Sequence, residues 1–115
     1  MINYFPQEQY TGNIEYKALI QFPNNNKIDR FTTQLYYRIR EGEGKAIYLI
    51  GVTDFGQLFI TFDNIKLLYN SIIQLESKIF NNNNIFNHKK NIFTYNNYIY
   101  CIYTIKQLQF ESLEF

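Results

Sequence analysis

Glycine lets a backbone turn tightly or take positive φ at little steric cost, and this chain of 115 residues holds only five of them. Four, Gly42, Gly44, Gly51 and Gly56, fall between positions 42 and 56, so the sharpest reversals are confined to one stretch. The residues on either side show what is being joined. From Lys27 to Glu41 the apolar residues Ile28, Phe31, Leu35 and Ile39 recur at helical spacing, which predicts a helix with one buried face. Gly42 is the expected stop, closing the last turn in the left-handed conformation. Ala46–Val52 is rich in strand formers, Thr53-Asp54-Phe55-Gly56 reads as a turn, and Gln57–Phe62 returns as a second strand, giving a hairpin.

The rest of the chain extends this pattern. Asn13–Phe22 alternates through Ile14, Tyr16, Ala18, Ile20 and Phe22, which predicts a half-buried strand ended by Pro23 and three asparagines. A second helix is expected from Asp63, as N-cap, to Phe80, with Ile65, Leu68, Ile72, Leu75 and Ile79 along one face. Asn81–Asn84 breaks it. A strand near Asn91–Tyr95, a turn at Asn96-Asn97 and a strand over Tyr98–Lys106 follow. The order β-α-β-β-α-β-β predicts an α+β fold of the split β-α-β, ferredoxin-like kind. It is expected to be an open sheet with two helices on one face and an extra C-terminal strand. Residues 1–12 read as a polar arm and 13–115 as a single α+β domain.

The chemistry that these residues exclude is broad. A formal charge of +1 gives no global polyanion footprint. Aromatic residues make up 19 % of the chain, but they accompany an abundance of Asn, Ile and Lys, a biased alphabet in which most rings are accounted for by core packing. Cys101 has no partner for a disulfide, and His88, placed in a polar loop beside Lys89 and Lys90, is the sole histidine. Neither a zinc set nor a nucleophile–base pair follows from one of each. Gly42-Glu43-Gly44-Lys45 superficially echoes a phosphate loop. Ile39 stands where that pattern needs glycine, Ala46 replaces the hydroxyl, and a helix precedes the loop where a strand is required. The expectation is a non-enzyme with no cofactor, metal, nucleotide or small-molecule substrate. With no basic leader and no apolar run of spanning length, it is expected in the cytoplasm and off the membrane.

A binding surface is the remaining chemistry. Lys27, Arg30, Gln34, Tyr37 and Arg38 fall on the side of the first helix away from its apolar stripe. Arg38, Arg40 and Lys45 surround the two glycines as a positive corner, diluted by Glu41 and Glu43. Such a corner suits a phosphate backbone.

Two strings carry a family resemblance: Gly12-Asn13-Ile14-Glu15-Tyr16-Lys17, and the run from Thr33-Gln34 through Arg38, Arg40-Glu41-Gly42, Gly44, Ala46-Ile47-Tyr48, Ile50-Gly51-Val52 and Asp54-x-Gly56. In this order they resemble the segment preceding the G domain in the GTP-binding-protein-one/two family of elongation-factor-like translational GTPases. The resemblance is firm from Gly12 to about Phe59. None of the matching positions belongs to the G domain, so it carries over no catalytic residue. It implies a factor that associates with the ribosome, through rRNA and ribosomal proteins, at a tRNA or translation-factor site, and silences or stabilises idle particles. Arg30, Gln34, Tyr37, Arg38, Arg40 and Lys45 are the residues expected at that contact. The alternative is an adaptor for a separate GTPase or an RNA-decay assembly.

Overall fold

Alternation along Tyr98–Gln107 sends Ile99, Cys101, Tyr103 and Ile105 to one side and Tyr100 and Ile102 to the other, and both sides become covered. A strand with two apolar faces belongs in the middle of a sheet, and that is where it lies. In the computed structural model, which describes residues 1–80 and 86–108, the elements run β1 (Ile2–Asn3), β2 (Ile14–Lys17), α1 (Asn25–Glu41), β3 (Lys45–Ile50), β4 (Gln57–Leu58), α2 (Ile65–Ile79), β5 (Phe86–Tyr95) and β6 (Tyr98–Gln107). The main sheet has the order β2-β3-β6-β5, with β2 and β3 parallel and the other pairs antiparallel. The fold is α+β, in a layout compatible with a ferredoxin-like arrangement.

Both helices pack on one face. Phe31, Leu35 and Ile39 of α1 and Leu68, Ile72, Leu75 and Ile79 of α2 meet Ala46, Tyr48 and Ile50 of β3 and the inward residues of β6. These are the two stripes expected from helical spacing. The Asn96-Asn97 turn is also as expected. Both residues have positive φ, 45° and 66°, the backbone that a two-residue hairpin between right-twisted strands demands.

Several boundaries differ from expectation. Helix α1 is capped by the Asn24 side chain, which accepts from the Lys27 N–H at 3.0 Å. Its end at Gly42 is not left-handed: φ there is −96°, and positive φ falls on Glu43 and Gly44 instead. Gly42 is required for room, because a Cβ would lie 1.8 Å from the Lys45 carbonyl oxygen and 2.6 Å from the Asn13 Cβ. Asp63 is not the N-cap of α2; it sits within a 3-10 turn, Phe62–Asn64, that leads into the helix. The first long strand stops at Lys17, since Ile20 leaves the sheet to donate its N–H to the Ser71 Oγ and bury its side chain under α2. The Gln57–Phe62 segment contributes only β4, bridged to β3's extension at Val52↔Leu58 and paired with β1. Conversely β5 begins at Phe86, so His88, Lys89 and Lys90 lie in a strand and not in a loop. The expected break at Asn81–Asn84 lies outside the described residues.

The first residues pack against the domain. Ile2 and Phe5 pack on Tyr16, Leu49, Val52, Leu58 and Tyr100, covering part of the sheet face opposite the helices. Tyr4 and Phe5 both donate N–H groups to the Gly56 carbonyl, at 3.1 and 2.9 Å, and Glu8 donates to that of Asp54 at 2.8 Å. Gly56 has φ of +84°, and a Cβ there would lie 2.0 Å from the Phe5 oxygen. The Asp54-x-Gly56 turn is thus the dock for the N-terminal segment.

Candidate nucleic-acid interface

Arg38 follows the apolar stripe of α1 closely enough to be drawn inside, toward β2. It is buried, 4 % exposed, as is Glu15 at 5 %. Its Nε donates to Glu15 Oε1 at 2.9 Å, Nη1 to the carbonyls of Thr11 (3.1 Å) and Gly12 (2.8 Å), and Nη2 to that of Gln9 (2.9 Å). A guanidinium occupied in this way fastens the N-terminal segment to α1 and has no fork left for a phosphate. Its placement on an outward binding face is therefore corrected. Glu8 closes the network, accepting from the Tyr16 N–H and lying 3.9 Å from Arg38 Nη2. Burial raises the Glu8 carboxyl above its ordinary 4.5, more than the Tyr16 N–H lowers it, with repulsion from Glu15 and Asp54 adding to the rise.

The other expected residues stay outside, in two places. Arg30 and Gln34 line a cavity of about 260 Å³ with Lys17 and Lys27, between the end of β2 and the start of α1. The Lys17 Nζ donates to Gln34 Oε1 at 3.0 Å and lies 3.6 Å from Glu15, so its charge is partly matched. Tyr37 continues the same flank, its hydroxyl 3.4 Å from Glu41 and its ring beside the Arg38 guanidinium. Arg40 and Lys45 lie at the far end, on either side of the Gly42–Gly44 turn. Among the described residues, Lys27, Arg30, Arg40 and Lys45 take part in no ion pair.

Strand register adds residues that spacing alone did not reveal. Lys45 faces Lys106 directly across β3 and β6, and Lys89 faces Thr104, the next outward position on the same side. Like charges directly opposite are unfavourable in a sheet, and a polyanion would relieve them. The pairing of β6 with both β3 and β5 brings these lysines together.

The remaining reactive groups are held by packing and hydrogen bonds. Burial pushes the Cys101 thiol up to about 12. Tyr103 is raised too, first by burial and then by its hydroxyl's bond to Glu76, at 2.9 Å. The His88 ring stacks on Tyr103 and abuts Phe80. Among the described residues no three His, Cys, Asp or Glu side chains gather as a metal site, and no helix is long and apolar enough to cross a membrane.

Over 55 residues the chain is 44 % identical to GTP-binding protein 2 of Mus musculus and, equally, to that of Homo sapiens. Part of this chain is thus related to a GTPase-type protein. The stretch amounts to 48 % of this chain and 9 % of each relative, so the chain spans less than a tenth of the curated proteins it matches. No family model matches, and no solved structure does.

Proposed function

We propose that this protein is a non-enzymatic, cytoplasmic, ribosome-associated factor that docks on a tRNA or translation-factor site and silences or stabilises idle ribosomes. The similarity to GTP-binding protein 2 carries this reading, joined to the resemblance of Gly12–Phe59 to the segment before a translational G domain. Lys27, Arg30, Gln34 and Tyr37 on one flank of α1, with Arg40 and Lys45 at its end, form the contact. Arg38 holds the segment that shapes it. It is expected to act without binding a nucleotide.

Sedimentation of native lysate through sucrose gradients tests the reading. Co-migration with intact ribosomes at low salt is expected, lost when RNA is cut or salt is raised, because phosphate contacts release counterions. Combined Lys27→Ala, Arg30→Ala and Lys45→Ala should weaken co-migration and flatten its salt dependence. Migration at the top of the gradient under every condition overturns the proposal. The adaptor reading draws on the exposed Tyr69 and Ile73, one turn apart on α2; association with a purified protein after nuclease treatment would favour it.

A further inference from the structure

On the sheet face opposite the helices, β5 presents Asn87, Lys89, Asn91, Phe93 and Tyr95 in succession, all exposed. Their neighbours across β6 are Lys106, Thr104, Ile102, Tyr100 and Tyr98. The strip is graded from cationic to aromatic. Lys89, Lys106 and Lys45 cluster at one end, Asn91 lies midway, and Phe93 and Tyr95 occupy the other end. None of these side chains is acidic. Phe93 stacks on Tyr100 with ring centroids 5.4 Å apart and planes 23° apart, and Tyr95 lies 4.6 Å from Tyr4. Each exposed ring is therefore backed by another ring and held in place, yet about 41 % of its surface remains open. In the main sheet β5 is a terminal strand.

Pre-set ring faces backed from beneath suit unpaired bases, whose own faces are free; a duplex hides them in its stack. Lysines at the other end of the same face suit the phosphates that follow, and a carboxamide between rings and lysines can pair with a base edge. Lys89 to Tyr95 spans ~20 Å at the strand rise, enough for a few nucleotides. An acidic peptide would satisfy the lysines but leave both rings without a partner.

We propose that the outer face of β5 and β6 is a binding platform for single-stranded RNA. Phe93 and Tyr95 stack bases, Asn91 reads a base edge, and Lys89 and Lys106 meet phosphates. The platform lies on the other side of the sheet from α1 and does not require the ribosome reading. It is tested on the purified full chain with a fluorescein-labelled ten-nucleotide oligouridine, by anisotropy at two salt concentrations. Binding that falls with salt is expected. Phe93→Leu and Tyr95→Leu, which keep an apolar cover over Tyr100 and Tyr4, should each weaken it roughly tenfold, as the loss of one stacked base does. Lys89→Ala with Lys106→Ala should flatten the salt slope, and Lys66→Ala on α2 should change nothing. Circular dichroism confirms that each variant is folded. Absence of binding, equal binding to polyglutamate or to duplex RNA, or binding indifferent to both ring substitutions would each overturn the proposal, whatever the sucrose gradients show.

Discussion

Arg38→Ala probes the interior of the domain more sharply than any other single change. The substitution leaves the Glu15 carboxylate, 5 % exposed, without the guanidinium 2.9 Å away. It also removes the donor from three backbone carbonyls, those of Gln9, Thr11 and Gly12. Breaking a buried ion pair from one side costs about 3–5 kcal/mol, because the surviving charge stays desolvated. A domain of this size has a total stability on the order of 5–15 kcal/mol, so roughly a fifth or more of it is at stake. At ~4–8 °C per kcal/mol the melting temperature should fall by roughly 12–40 °C. Thermal denaturation followed by circular dichroism gives the number. Limited proteolysis gives the place, since residues 7–12 should become cleavable before the helices do. Arg38→Met combined with Glu15→Gln removes the stranded charge and should recover part of the loss. A melting temperature within about 3 °C of wild type for Arg38→Ala, equivalent to less than ~1 kcal/mol, would refute the idea that this guanidinium holds the fold together.

Glu8 has a raised pKa in the folded chain, so the native state holds its proton more tightly than the unfolded state does. Its contribution is then fully present below the ordinary value of 4.5 and is lost as pH rises through the folded value. In melting curves recorded across that window, wild type should lose stability relative to Glu8→Gln as pH increases. Gly42→Ala places a methyl 1.8 Å from the Lys45 oxygen and should cost about 1–3 kcal/mol through forced backbone displacement, read as a lower urea midpoint.

Both helices were readable because their stripes are periodic and each lies within one contiguous segment. Leu68, Ile72, Leu75 and Ile79 are buried as their spacing predicts. Strand Tyr98–Gln107 was readable for the same reason, one period shorter. Arg38 was not. Its position on the helix borders the apolar stripe, and only a carboxylate on β2, far away in sequence, decides that it turns inward. Gly42 was placed correctly at a helix end for a reason the backbone does not bear out: what matters there is the approach of Asn13 and Lys45. His88 and its lysine neighbours lack any apolar alternation, so nothing local marks them as strand; the ladder with β6 imposes it. The facing of Lys45 and Lys106 likewise depends on register, which no single segment encodes.

The position of β6 has a consequence for how the molecule is made. It is the last strand in the described chain, yet it lies between β3 and β5 and contributes Ile99, Cys101, Tyr103 and Ile105 to the core beneath both helices. A nascent chain that has not reached Tyr98 has both helices and β3 encoded, but lacks the half of the core floor that Ile99, Cys101, Tyr103 and Ile105 supply. The segment at Ile2–Phe5, made well before β6, must wait for Tyr100 before its own apolar contacts are complete. Folding is therefore expected to reach completion only once β6 has been made, and then in a single cooperative step.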